Sequence, residues 1–499
     1  MTRTEGALAG IAAAGAGVAA GQLLGAALDP GSAPLVAVGS AVIDLAPPAL
    51  KEWAVATLGT ADKPVLLLGI AVLLGAVGAA AGIQARRRRL AGDLACVAVG
   101  LVGVVAALTR PDAGVLDALP SVLAAAVAAL ALRWQLGWAE RRHAVLPVDH
   151  GVDRRLLLTG GAGILAAAAT AALPGSSSAT SAPSSAVTLP APASTPEPLP
   201  RGLEASVPGV SALRTPVKDF YRIDTALFLP SLDPASWKLT VTGMVARPYE
   251  LTWDELLAMP LIERDITLTC VSNEIGGPYC GSTRWTGVRV ADLLARAQPS
   301  PDADQVLSAS TDGFTASTPL AVLLDGRDAM VAVAMDGRPL PREHGFPVRL
   351  LTPGLYGYVG ATKWLKTLTV TTFAADQAYW TRRGWGELGP VKTATRIDTP
   401  RGSTAAGDTV VAGVAWATHR GISRVQVQVD GGPWQDARLG PDVGLDYWRQ
   451  WYLPWSATPG RHRLAARAFD GTGVVQPAEV RGVLPDGPTG YHVITVDVG

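Results

Sequence analysis

Cysteine is scarce in this sequence: 3 in 499 residues, at positions 96, 270 and 280. Three thiols cannot make a disulfide framework, and only a 270–280 bridge is conceivable in the polar part of the chain. Cysteine-rich iron–sulfur motifs are excluded for the same reason. Histidine is equally sparse, at 143, 150, 344, 419, 462 and 492. None lies inside a long apolar run, so a haem held by paired histidines within a bilayer is excluded, and no haem is expected. Charge of one sign is also missing, since 42 basic residues balance 42 acidic ones. Nothing in that balance calls for a nucleic-acid partner. What the chain has in quantity is apolar residues, 48% of the total, with a mean hydropathy of +0.26. Part of it is expected to sit in a membrane.

The apolar residues concentrate in the first third. Runs at 6–28, 64–83, 94–108, 116–132 and 156–173 each approach the length that crosses roughly 30 Å of hydrocarbon. Residues 33–58 contain Asp44, Pro47, Pro48, Lys51 and Glu52, which suit an interfacial or re-entrant segment better than a span. Arginines at 86–89 follow the second run, and Arg133, Arg141, Arg142, Arg154 and Arg155 surround the connection from the fourth to the fifth. Both loops are therefore expected on the cytoplasmic side, which five spans satisfy and six do not. That count leaves everything after residue 173 outside the cytoplasmic membrane, on a multi-pass anchor in contact with lipid. Arg154-Arg155 before the fifth run resembles a twin-arginine export signal placed internally.

Residues 174–208 are mostly Ser, Ala, Thr and Pro, and are expected to form a disordered linker. Beyond it, residues 237–243 alternate as a strand, and 251–257 carry a capped helix with Thr252 at the N-cap and Glu255 three residues on. A helix is expected at 290–297, with strands at 305–310, 329–335, 348–352 and 365–373, a mixed α+β pattern over 209–392. From 393 to 499 strand-like runs alternate with Gly, Pro and Asp turns, and Asp430-Gly-Gly-Pro is a hairpin signal. This pattern fits an all-β immunoglobulin-like sandwich without its disulfide, a module expected to pair or pack and to carry no chemistry. The fold class expected is thus multi-domain: an all-α transmembrane bundle, an α+β domain and an all-β sandwich.

The stretch ITLTCVSNEIGGPYCGSTRW, residues 266–285, sets Cys270 after a short β-type run and before a glycine-rich turn. By itself such a cysteine is most often a small buried hydrophobe. Further along come His344-Gly-Phe-Pro-Val-Arg349, Pro353-Gly-Leu-Tyr-Gly-Tyr358 and Lys363-Trp364-Leu365. Together these resemble the molybdopterin-binding domain of the sulfite oxidase family. From about residue 216 onward the order of features is similar to the group of sulfite oxidases, assimilatory nitrate reductases and methionine sulfoxide reductases, in which a cofactor domain precedes an Ig-like dimerisation domain.

The resemblance implies a molybdenum–molybdopterin cofactor with a single pyranopterin, its metal bound by one protein thiolate. By motif position that ligand is Cys270, and a soft, anionic sulfur suits a high-valent metal. Arg349 would grip the pterin phosphate, with His344, Lys363 and the turn Gly360-Ala361-Thr362 beside it. Tyr221 and Arg222 match the opening motif that lines the cofactor and faces the metal, and Thr311 is a further pterin contact. Arg222 would hold the substrate, and Tyr356 or Tyr358 would serve as a proton donor or pack.

Two departures argue against sulfite as the substrate. Asp224-Thr225 stands where sulfite-oxidising members carry Asn and His, and Val-Ser-Asn-Glu follows Cys270 in place of Ala-Gly-Asn. Asp224 and Glu274 would repel an anion if they faced it, unless they are paired or solvated turn residues. The expected activity is oxygen-atom transfer on a small oxo donor or acceptor, with electrons exchanged with an external redox protein. The resemblance also implies a homodimer through the C-terminal domain. A second reading is a binding or adhesion module that keeps the scaffold without the cofactor. A third, a transporter or sensor, is disfavoured because Asp93 and Asp117 are nearly the only ionisable groups in the apolar runs.

Overall fold

The computed structural model describes residues 2–47, 50, 53–54, 57–58, 61–110, 113–145, 187–227 and 229–499. They form two compact units, one built on the N-terminal helices and one that includes Leu232–Gly499. The run at 156–173 and the Arg154-Arg155 pair lie outside the described residues.

The first unit contains α1 (Arg3–Leu28), α2 (Pro34–Leu45), α3 (Asp62–Ala85), α4 (Arg89–Leu108) and α5 (Leu119–Val145). Four helices, α1, α3, α4 and the stretch Val115–Trp138, are long and apolar enough to cross a membrane. The segment expected to be interfacial contains the shorter α2, 12 residues long. Where lipid is as apolar as the side chains, helices associate by close backbone approach, and small residues permit it. A Cβ on Gly10 would stand 1.9 Å from the Gly78 carbonyl oxygen, and one on Gly82 would stand 2.0 Å from that of Gly6. Two glycines four apart on α1 thus mesh with two four apart on α3.

Gly75, also on α3, has nothing within 4 Å of its Cβ position. Gly10→Val is therefore expected to destabilise the detergent-solubilised helical unit by roughly 2 kcal/mol through forced separation of α1 from α3. Gly75→Val should leave it unchanged, as thermal melting by far-ultraviolet circular dichroism can check. Both acids in the apolar runs have local partners. Asp93 takes two bonds from Arg133, at 2.9 and 2.7 Å, and Asp117 accepts the Gly114 amide at 2.9 Å. Neither carboxylate is left over for a translocation path.

The second unit has an α+β part with ten strands: β1 (Lys238–Gly243), β2 (Tyr249–Thr252), β3 (Leu261–Thr269), β4 (Cys280–Arg289), β5 (Gln305–Ser310), β6 (Thr315–Pro319), β7 (Met330–Met335), β8 (Arg338–Pro339), β9 (Arg349–Leu351) and β10 (Leu365–Thr371). One sheet runs β2-β1-β10-β5-β6, and the other runs β3-β4-β7-β8 with β9 also on β7. The helix Trp253–Leu257 begins at Thr252 with the full reciprocal cap to Glu255, as its sequence signature requires. Leu239, Val241, Val288, Val331, Val333 and Leu368 meet between the sheets in one core.

The all-β part is a sandwich. One sheet is ordered Ala394–Thr399, Gly407–Trp416, Arg449–Ala457, Arg438–Leu439, and the other Gly402–Thr404, His492–Val498, Gly460–Asp470, Ile422–Val429, Gln435–Asp436. The last two strands of the second sheet pair as the hairpin that Asp430-Gly431 closes with positive φ at both residues, 50° and 73°. Ile397, Val411 and Trp451 from one face meet Val427, Leu464 and Val496 from the other.

One feature differs from the sequence reading. The expected linker is described from residue 187, and there it follows the surface of the α+β part. Val187 and Leu189 pack against its core, and the Ala193 amide bonds the Leu261 carbonyl at 2.7 Å. The segment has few apolar residues, but the two it has are enough to seat it along the edge of β3. Residues 270–279 separate β3 from the ten-residue β4, whose Cys280 pairs with Thr269.

Candidate cofactor site

Cys270 stands at the end of β3, where the hairpin to β4 turns. Its amide bonds the Tyr279 carbonyl at 3.0 Å, and its Sγ lies 2.9 Å from the Ser272 hydroxyl. Asn273 braces the turn by accepting the Tyr279 amide at 2.8 Å. The thiol is half-buried, and burial pushes its pKa up, against the opposing Ser272 hydrogen bond. A thiol so placed is protonated until a metal takes the proton's position. Cys280 differs: it is 6% exposed within an apolar cluster, and burial raises its thiol to about 12. It is a small core residue and a poor ligand. No disulfide joins any of the three cysteines.

Arg349, on β9, is 7% exposed. One Nη donates to the His344 carbonyl at 3.3 Å, and the guanidinium lies 5.1 Å from the Trp285 ring centroid. Its Nε has no hydrogen-bond partner among the described residues, and no carboxylate pairs with it there. Burial lowers it to about 10, partly offset by Tyr221. A buried cation without an anion is costly, so the protein holds an incomplete ion pair at this point. The Thr311 and Thr352 hydroxyl oxygens are likewise buried without partners.

Tyr221 connects this cation to the thiol. Burial pushes its phenol well above the usual range, the Cys270 sulfur adds to that, and Arg349 opposes it. Phe220 stacks on Tyr221 at 5.4 Å and meets Trp285 and His344 edge-on at 5.6 and 5.8 Å. His344 is buried, its Nε2 3.3 Å from the Val217 carbonyl. Burial, and then the Arg349 charge, brings its pKa to about 4, so it is a neutral imidazole. Gly345, with φ 108°, takes a conformation open to glycine and lets Lys363 pass: a Cβ there would stand 3.0 Å from that of Lys363. Lys363 donates to the Glu343 carbonyl at 3.2 Å and is ion-paired with Asp224.

Other expected residues have different surroundings. Arg222 is exposed and paired with Asp224, whose carboxylate therefore bridges Arg222 and Lys363. Asp224 is the locally paired acid of the alternative reading, and Arg222 is absent from the pocket beside Cys270. In the Gly360-Ala361-Thr362 turn, the first two amides close a short helix onto Tyr356 and Gly357, at 3.0 and 2.9 Å. The Thr362 hydroxyl meets that of Ser308 at 2.7 Å, so this hydroxyl and the first two amides are engaged within the fold. Tyr358 donates to the Gly386 carbonyl at 2.7 Å and packs.

A pocket opens on the far side of the Cys270 turn. Asn273, Glu274, Ile275 and Tyr356 line it from the α+β part, and Thr395, Trp416 and Gln476 line it from the sandwich. The sandwich was expected to carry no chemistry, yet it forms one wall. Arg396, paired with Asp398 at 2.7 Å, also fastens the turn by donating to the Gly277 carbonyl at 2.9 Å. No local pattern could disclose this, since these partners are more than a hundred residues apart.

The fold and site define a class: an α+β domain with a half-buried soft thiol and a buried guanidinium whose Nε has no partner among the described residues, joined to a β-sandwich. Residues 226–380 match the family described as oxidoreductase molybdopterin binding domain. The human mitochondrial sulfite oxidase is 30% identical over 322 residues, 53% of this chain and 59% of that protein. The rice NADH nitrate reductase 1 is 28% identical over 326 residues, 50% of this chain and 35% of that one. The sulfane dehydrogenase SoxCD from Paracoccus pantotrophus has the same fold, with a TM-score of 0.51 at 22% identity, over 58% of this chain and 82% of that one. Residues 226–380 thus carry a molybdopterin-binding oxidoreductase domain, in a chain related to sulfite oxidases and nitrate reductases. The chain spans about 59% of the length of the sulfite oxidases it matches and 35% of the nitrate reductase.

Proposed function

We propose that this chain is a membrane-anchored molybdenum-cofactor oxidoreductase that carries out oxygen-atom transfer on a small substrate, outside the cytoplasmic membrane. The observation that carries the reading is the buried Arg349 guanidinium, whose Nε lacks a partner among the described residues. A pterin phosphate is the anion that would complete it, in the bidentate geometry an arginine fork favours. Neutral His344 and the Thr311 and Thr352 hydroxyls are the adjoining polar contacts, and Cys270 is the metal ligand. When bound, molybdenum with its single pyranopterin supplies two-electron oxygen-atom chemistry.

The chain's own residues do the remaining work. Asn273 and Arg396 fix the turn that carries the thiol. Tyr356, whose phenol burial keeps protonated, holds a proton at the pocket wall. An external redox protein takes or supplies the electrons, and pairing through the sandwich into a homodimer belongs to the same proposal. The four long apolar helices support the anchor. The placement of the catalytic part outside rests on the arginine-rich loops. Elemental analysis of the purified full chain tests the reading. Molybdenum stoichiometric with protein is expected, and a preparation that never contains it would favour the cofactor-less binding module.

A further inference from the structure

Resting on the oxidoreductase reading above, we propose that the outer face of the second sandwich sheet is the docking surface for an acidic one-electron carrier protein. Alternation along the strands sets that face. Val425, Val427, Leu464 and Ala466 turn into the core, so Arg424 and Gln426 on one strand, and Arg463, Arg467 and Phe469 on the next, turn out. The register places Arg424 opposite Phe469 and Gln426 opposite Arg467.

The guanidinium groups there are held mainly by rings and an amide. That of Arg424 lies 3.8 Å from the Phe469 ring centroid, and that of Arg467 lies 4.2 Å from Trp434 and 5.5 Å from Phe469. Arg467 also donates twice to the Gln426 side-chain oxygen, at 3.0 and 2.7 Å. Trp434 meets Tyr491 edge-on at 5.5 Å. Among the described residues no ion pair joins Arg424, Arg463 or Arg467 to a carboxylate. Of the acids beside them, Asp497 faces Arg461 at 3.8 Å, and Asp430 is bonded to His462 at 2.6 Å and to the Arg463 amide at 2.7 Å. That leaves Asp436, bonded to Gln426 at 2.8 Å, against three arginines. Surplus positive charge beside Trp, Tyr and Phe rings is the composition that anchors a protein partner, here one of opposite charge.

The face lies one sheet away from the turn that carries the thiol. Tyr491 and His492 are consecutive, and their side chains turn to opposite sides. His492 turns in: its Nδ1 accepts the Ile397 amide at 2.9 Å, and a Cβ on Gly276 would stand 2.1 Å from its Nε2. Gly276 lines the same pocket as Cys270, a few residues along the same turn. Tyr491 turns out, to the Trp434 ring. A contact path therefore runs from the Cys270 turn through His492 and Tyr491 to the aromatic platform, and electron tunnelling, which falls steeply with distance, favours a carrier seated there. Each carrier molecule exchanges one electron, so two are turned over for every oxygen atom moved. Two-fold pairing of copies through this face would set the arginines against themselves, which favours a different, acidic partner.

The test uses the full-length holoprotein in phosphatidylcholine nanodiscs. The probes are mitochondrial cytochrome c, which is basic, and its succinylated form, which is acidic and carries the same haem. The succinylated form should bind at least about tenfold more tightly, with an affinity that falls as salt rises. The double variant Arg424→Glu/Arg463→Glu changes two exposed side chains outside the cofactor site. It should weaken binding of the succinylated form by at least about tenfold and slow electron exchange with it at limiting carrier, while molybdenum content and melting temperature stay unchanged. Equal binding of the two probes, or an affinity that the double variant leaves unchanged, overturns the proposal. So does loss of a dimer in the double variant by native mass spectrometry, which would give the face to a second copy. Hydrogen-exchange protection of Ile422–Val429 confined to phosphatidylglycerol nanodiscs would give it to lipid and overturn it equally. Molybdenum present with unchanged carrier affinity overturns the docking face alone, whereas protein that never holds molybdenum overturns the oxidoreductase reading and this proposal with it.

Discussion

Cys270→Ser is expected to empty the metal site and lower turnover by roughly three orders of magnitude, because a hydroxyl cannot replace the soft, electron-donating thiolate. Position 270 lies at the head of a turn, half-buried, with a side chain already able to bond Ser272, so serine fits without a cavity. The variant should therefore fold normally, and molybdenum analysis beside a thermal melt will separate loss of ligand from loss of structure. Cys280→Ser gives the opposite result. That sulfur belongs to the buried apolar cluster that includes Val271, Leu355 and Trp448, and a hydroxyl there costs about 1–3 kcal/mol. Molybdenum content should survive at a lower melting temperature. A Cys270→Ser protein with full metal and activity would refute the ligand assignment.

Arg349→Met should act in opposite directions on stability and on function. In the cofactor-free chain the guanidinium is buried, paired with no carboxylate among the described residues and leaves its Nε unsatisfied. Methionine removes that charge while keeping much of the volume, so the apoprotein should gain on the order of 1–3 kcal/mol. Cofactor retention should be lost, because the anion loses its fork. Arg349→Lys should restore the charge but not the retention, since an ammonium cannot present two parallel donors. Denaturant melts of apoprotein and pterin analysis of the holo preparation measure the two effects separately. A destabilised Arg349→Met apoprotein would mean that the bond to the His344 carbonyl outweighs the cost of the buried charge.

How much of this was legible beforehand varied with the range of the interactions. The helix at Trp253–Leu257 and the hairpin at Asp430 follow from hydrogen bonds and turn angles within a few residues, and sequence shows such features directly. The order Cys270, His344, Arg349, Lys363 marked the cofactor domain because each residue type suits one part of the ligand. Arg222 was harder to judge. Its neighbour Asp224 is visible in the sequence, but only folding brings Lys363 to the same carboxylate. The seated chain begins at 187, inside the compositional linker, because two apolar residues suffice to hold an extended segment against the core.

The sequence alone determined the periodic elements, the apolar runs suited to a bilayer, and a set of donors that matches a metal–pterin anion, since each depends on residue type and short spacing. Tertiary structure decided which of those donors remain free. A charge is available to a ligand only if no other group has reached it first, and that depends on partners such as Asp224 with Lys363 or the Gly277 carbonyl with Arg396, which lie far apart along the chain.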